Sequence, residues 1–168
     1  MRRMPSRGRP SASGATSRAH IAVIAARWNG AVVERLLAAA TSQLDDAGAT
    51  HEIFRVPGSF ELPQAARRIA RTRRFDAIVP LACVIRGDTP HFEYVARAVT
   101  DGLLRVSLED EVPVVFGVLT CDTMAQALDR AGGAEGNKGA DAAAAALELV
   151  ALAQSLAPTT EKTSRRTR

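Results

Sequence analysis

Aromatic side chains are scarce in this 168-residue chain: one Trp, one Tyr and five Phe, 4% of the whole. An interior must therefore be built from Ala, Val and Leu. The basic, aromatic-studded face that nucleic-acid binders use is missing. Cysteine is nearly absent, with two residues. Cys83 and Cys121 sit in apolar strand-like runs without CxxC spacing or a His partner. That pattern indicates buried reduced thiols and argues against a disulfide framework or a zinc site. No run of apolar residues approaches the length of a membrane span, so a soluble, cytoplasmic protein is expected, with neither membrane nor nucleic acid as partner. Acids are missing from the first 18 residues, where Arg2, Arg3, Arg7, Arg9 and Arg18 give +5. Residues 159–168 carry a further +3, so the overall charge of +4 leaves a body at −4. The high isoelectric point belongs to the two ends.

Those ends are Arg-, Ser- and Thr-rich without apolar period. Residues 1–18 and 159–168 are expected to be disordered tails around one domain, residues 19–158. The first tail shares its lack of acids with transit peptides but has no amphipathic apolar face, which favours a plain flexible tail.

Between the tails, strand-like and helix-like patterns alternate four times. Ile21–Ala25 reads as a strand, Arg27-Trp28-Asn29-Gly30 as a turn, and Val32, Val33, Leu36, Leu37, Ala40 and Leu44 as a helix face closed by Gly48. His51–Val56 is the second strand, followed by Pro57-Gly58-Ser59 and a helix entered through Phe60-Glu61-Leu62-Pro63. Ile78–Ile85 is the third strand. Pro80 lies inside it, and since proline cannot donate to a ladder, a bulge or a late strand start is expected. Arg86–His91 breaks the run, and Phe92, Val95, Val99, Leu103 and Val106 then form a helical stripe. Thr89 is expected as its N-cap with Pro90 at the first helical position. Val114–Leu119 is the fourth strand. Thr123-Met124-Ala125-Gln126 fits a capping box, a polar loop spans 133–139, and a final helix spans 141–156. Four successive strand–helix units predict a parallel sheet with helices on both faces.

Ligands of such folds gather at the carboxyl ends of the strands. Four strand ends here supply Trp28, then Ser59-Phe60-Glu61, then Asp88-Thr89 with His91, then Thr120-Cys121. Each has a bland reading: a loop tryptophan by chance, a glutamate placed by the helix dipole, a solvated first-turn histidine. Together they suit a planar polar heterocycle plus an anion held by Arg86 and the start of the third helix.

The motifs Val56-Pro57-Gly58-Ser59-Phe60-Glu61-Leu62-Pro63, Val84-Ile85-Arg86-Gly87-Asp88-Thr89-Pro90-His91-Phe92-Glu93-Tyr94-Val95 and Phe116-Gly117-Val118-Leu119-Thr120 occur in that order. Gln126–Gly132 and Gly136-Asn137-Lys138-Gly139 follow. Over roughly residues 20–155 the chain resembles the lumazine synthases. The resemblance implies a flavodoxin-like three-layer αβα sandwich on a four-stranded parallel sheet, with an N-terminal strand that can pair with a neighbouring subunit. It implies condensation of 5-amino-6-(D-ribitylamino)uracil with 3,4-dihydroxy-2-butanone 4-phosphate, without metal or organic cofactor. Carried over by position, Trp28 would face the pyrimidine, where the family more often has Phe. Ser59, Phe60 and Glu61 would hold the pyrimidine and ribityl chain, and Cys83, Val84 and Ile85 would meet the ring through backbone. Asp88 and Thr89 would hold the butanone, Arg130 would pair with its phosphate, and His91 would transfer protons. Phe116 and Arg130 would come from a neighbouring subunit, with Lys138 nearby.

Further departures from the family pattern are Pro80 and Ala82 before the third strand's end, and Asp88, a carboxylate beside a phosphate site that Arg86 or Arg130 would have to offset. The resemblance also implies a pentamer with sites between subunits, a 60-subunit shell built from pentamers, and riboflavin synthase as a further partner. Leu104 and Leu108, off the core stripe of the third helix, fit burial against a second subunit. The competing readings are a non-catalytic flavin- or lumazine-binding shell protein and a bare flavodoxin-like domain. His91 and Arg130 favour the enzyme, because binding alone needs neither a proton shuttle nor a phosphate clamp.

Overall fold

A computed structural model describes residues 18–157, and the tails expected at 1–18 and 159–168 lie, but for Arg18, outside the described residues, as does any N-terminal strand exchanged with a neighbour. Arg18 is described, and its Nε donates to the Gly48 carbonyl.

The elements follow the alternation of the sequence: β1 (His20–Ala26), α1 (Gly30–Asp46), β2 (Thr50–Val56), α2 (Leu62–Arg71), β3 (Ala77–Ile85), α3 (His91–Glu109), β4 (Gly117–Cys121), α4 (Met124–Asp129), β5 (Ala131–Gly133), β6 (Gly136–Asn137) and α5 (Lys138–Leu156). The first four strands form one parallel sheet in the order β2-β1-β3-β4, as expected of a flavodoxin-like sandwich. Strand periodicity sends alternate residues to opposite faces. Ile21, Val23 and Ala25 with Val79, Leu81, Cys83 and Leu119 pack under α1 and α5. Ala22, Ile24 and Ala26 with Ile78, Ala82 and Val118 pack under α2 and α3. Gly48, at φ +72°, closes α1 in the left-handed conformation predicted for it.

Four expectations need correction. Pro80 neither bulges β3 nor delays it, because β3 starts three residues earlier and Pro80 pairs in register with Ile24. The disturbance falls on the partner strand. Ile78 exchanges both backbone bonds with the β4 side, accepting from Val115 N–H and donating to Pro113 O. Two residues on, Pro80 has no N–H to give, and the Val115 carbonyl accepts from Gly117 N–H instead, at 2.9 Å. Val114 is thus left as an isolated bridge, and β4 begins at Gly117 rather than at Val114.

Second, the N-cap of α3 is Pro90, not Thr89, and no side chain caps this helix. Third, the expected polar loop at 133–139 is a two-stranded hairpin, β5–β6, and Lys138 already opens α5. Fourth, α5 has 19 residues and is apolar enough by length and composition to cross a membrane, contrary to the expectation from apolar runs. Its Gly139, Ala142, Ala143, Ala146 and Val150 are buried in the domain, and it packs closely along α1. The alanine content that makes it apolar is what allows that close packing.

Candidate active site

The carboxyl ends of β1, β2 and β3 are tied together by three hydrogen bonds around the β1–α1 turn. Arg27 N–H donates to Val56 O at 2.9 Å and Trp28 N–H to Pro57 O at 3.3 Å. Asn29 adopts the left-handed conformation (φ 55°, ψ 41°), which asparagine tolerates better than most residues. From there its Nδ2 donates to the Cys83 carbonyl at 2.7 Å. The turn therefore holds the Trp28 ring, 73% exposed, as a shelf over the strand ends.

Below that shelf, Glu61 closes a short 3-10 turn, Ser59–Glu61, by accepting from Gly58 N–H through Oε2 at 2.9 Å. Gly58 permits a close approach: a Cβ there would stand 3.2 Å from Glu61 Oε2 and 3.3 Å from Trp28 Cδ1, and both side chains would have to give by a few tenths of an ångström. Ser59 is buried and Phe60 is 63% exposed. A cavity of about 530 Å³ results, lined by Trp28, Asn29, Ser59, Phe60, Glu61, Cys83, Val84, Ile85 and, from α3, His91 and Val95. Eight of the expected site residues meet there, counting His91.

Phe116, Arg130 and Lys138 do not join them. They line a second cavity of about 430 Å³ between β4 and α5, with Thr120, Cys121 and Asp141. Arg130 follows α4 and its Nη1 donates to the Gln126 carbonyl at 3.1 Å, while Lys138 Nζ donates to Asp141 at 2.8 Å. Thr123 caps α4 as predicted, accepting from Gln126 N–H at 3.2 Å. The Gln126 side chain reaches back one residue further than a capping box requires, to Asp122 N–H at 2.9 Å.

Asp88 and Thr89 line neither cavity and are exposed on the β3–α3 loop. Arg86, expected to hold an anion or offset Asp88, is already engaged. Its Nε donates to Asp122 Oδ1 at 2.7 Å, its Nη1 to Glu93, and its guanidinium lies 4.3 Å above the Phe92 ring. The bonds to Asp122 and then Glu93 raise the Arg86 pKa, and the bond from Arg86 holds the Glu93 carboxyl below its ordinary value. The anion cradle proposed at this turn is thus satisfied by the protein's own carboxylates.

Both cysteines are buried free thiols. Burial pushes Cys83 up to about 12, helped by the neighbouring Cys121. Burial also raises Cys121, against the pull of Arg130. Neither is an activated nucleophile. Among the described residues no cluster of His, Cys, Asp or Glu is disposed to hold a metal ion.

Residues 18–154 match the family model described as 6,7-dimethyl-8-ribityllumazine synthase. The chain belongs to the 6,7-dimethyl-8-ribityllumazine synthase family. Its similarity to individual members is high along most of both chains. With the protein of that name from Parabacteroides distasonis it shares 47% identity over 137 residues, 80% of this chain and 86% of the relative. With that from Anaeromyxobacter sp. strain K it shares 50% over 139 residues, 81% and 86% of the two chains. Membership makes the protein an enzyme, a transferase of riboflavin biosynthesis, and disfavours the non-catalytic alternative.

Asn29 was missed as a site residue. The signal was present in the sequence: an Asn-Gly pair after a strand favours a left-handed residue, and the side chain then points back to the strand ends.

Proposed function

We propose that the protein condenses 5-amino-6-(D-ribitylamino)uracil with 3,4-dihydroxy-2-butanone 4-phosphate to 6,7-dimethyl-8-ribityllumazine. The observation that carries this assignment of residues is the division of chemistry between the two cavities. The first offers stacking surface in Trp28 and Phe60 and backbone from Cys83, Val84 and Ile85 for a planar ring. Glu61, anchored through one oxygen, keeps the other to accept from ribityl hydroxyls. The second offers Arg130 and Lys138 to a phosphate and Phe116 to the ring's far side. The amine attacks the ketone and an imine forms with loss of water. Phosphate is then eliminated, and the ribityl-bearing nitrogen attacks the remaining carbonyl, expelling a second water as the ring closes to the product. His91, at the mouth of the first cavity, moves the protons. Asp88 and Thr89 close on the butanone from the adjoining loop.

A complete site then needs both cavities face to face, the second donated by a neighbouring subunit. A pentamer provides this, and twelve pentamers closing into a 60-subunit shell extend it. Tyr94, Leu104 and Leu108, 73%, 58% and 72% exposed on one side of α3, favour such a contact. The protein acts in the cytoplasm, as residues 19–158 with a basic tail on each side, and hands its product to riboflavin synthase. Mixing the two substrates with the protein should produce lumazine absorbance. No absorbance would refute the reaction, and scattering mass at the monomer value would refute the shared site.

A further inference from the structure

We propose that Arg86 is a positioning residue for proton transfer, clamping the first turn of α3, and with it His91, against the end of β4. The inference rests on the role given to His91 above. His91 is the first residue of a helix that no side chain caps, entered from an exposed loop containing Gly87. The turn has one backbone bond of its own, Glu93 N–H to Pro90 O at 3.1 Å, but no side chain caps it, and uncapped helix ends fray. From Val95 onward α3 is held by the core. The four residues before that, His91 to Tyr94, lie outside the core cluster and rely on another anchor.

Arg86 supplies it from four directions. Its backbone N–H donates to Cys121 O at 2.9 Å, continuing the β3–β4 pairing one residue past the strands. Its Nε binds Asp122, its Nη1 binds Glu93, and its plane covers Phe92. Glu93 and Phe92 are the two residues after His91, so the guanidinium grips the turn that carries the imidazole. Asp122 is itself fixed, its N–H bonded to Gln126, whose own N–H is capped by Thr123. The chain of contacts runs from α4 through Asp122 and Arg86 to the first turn of α3. A lysine could not reproduce it, because a single ammonium lacks the planar fork that meets two carboxylates and a ring at once.

The alternative role for Arg86, a phosphate ligand, predicts a different kinetic signature. A ligand's loss weakens binding of the phosphorylated substrate, whereas a positioning residue's loss lowers turnover through the group it positions.

The test is a double-substitution cycle on the full-length protein, with kcat and both KM values measured for Arg86→Ala, Arg86→Lys, His91→Ala and the double variant. Arg86→Ala should lower kcat about tenfold, the scale expected when a reacting group is displaced by less than its own width. Arg86→Lys should recover little of this, and both KM values should hold steady. In the His91→Ala background Arg86→Ala should cost nothing more, because the group it positions is gone. Amide exchange at residues 91–94 should quicken in Arg86→Ala while β3 and β4 stay protected. An unchanged kcat, a loss that multiplies with that of His91→Ala, or a rise in KM for the butanone phosphate alone would each overturn the clamp. Should Arg86→Ala fail to fold, Asp122→Ala removes one arm and is read identically, with roughly a threefold loss expected and an unchanged kcat again fatal. A His91→Ala enzyme at full rate would sink the histidine's role and the clamp with it, while the other adverse results leave that role standing.

Discussion

The two cavities lie on neighbouring strands, the first at the carboxyl end of β3 and the second along β4, and they differ in kind. The first is bounded by aromatic and aliphatic groups, with one carboxylate and one imidazole, and carries no lysine or arginine in its lining. The second is smaller and holds Arg130 and Lys138 against Asp141, with one aromatic at the rim. A flat heterocycle and a phosphate dianion need these two environments, and one chain keeps them apart. The difference teaches that folding and site assembly are separable: one chain completes its core and still holds the two environments in separate cavities.

Several substitutions probe that division, the strongest at His91. His91→Ala should lower kcat by roughly ten- to a thousandfold, the range of general acid–base catalysis, with residual turnover from proximity alone. A steady-state assay at saturating substrate measures this, and an unaltered kcat would remove the imidazole from the chemistry. Mixing denatured His91→Ala and Arg130→Ala chains and refolding them together should then restore activity. About a quarter of the junctions in a random ring pair an intact first cavity with an intact second one. No recovery above the parents would mean that each chain works alone.

Arg130→Ala alone should raise KM for the butanone phosphate roughly tenfold by loss of a charge-assisted contact, leaving KM for the uracil steady. Equal weakening of both would point to a folding defect instead. The smallest effect expected concerns the thiol of the first cavity. Cys83 is raised to about 12 when folded, so above the ordinary cysteine value, about 8.5, the unfolded chain sheds a proton that the folded chain keeps. Stability from this group is complete below that value and declines as pH rises toward the folded one. Denaturation midpoints should fall between about pH 8 and about pH 10.5, and Cys83→Ala should flatten that decline. An identical slope in the variant would show that other groups set it.

Much of this was legible beforehand because it is periodic or local. The alternation of apolar runs predicted all four parallel strands, and eight of the proposed ring-side residues converge on one cavity. What the sequence hid depends on geometry between elements. Thr89 has the right chemistry for a cap, yet Pro90 occupies that position, since the loop closes one residue later. Arg86 read as a free cation because Asp122, 36 residues away, becomes its partner only when β3 and β4 align. Asn29 was passed over because its hydrogen-bond acceptor, a carbonyl 54 residues on, carries no side-chain signature.

Pro80 makes the same point from the opposite direction. The residue lacking a hydrogen sits at the middle of the sheet, but the chain that moves is its neighbour. With Val115 O turned to Gly117 N–H, the backbone between them folds into a one-residue loop whose apex is Phe116. That side chain stands 45% exposed at the rim of the second cavity instead of lying flat in the sheet. An imino acid on one strand thus works as a spacer for an aromatic on another. Whoever sought to tidy the sheet by giving position 80 an ordinary amide would zip the ladder shut and retract the ring from the cavity rim.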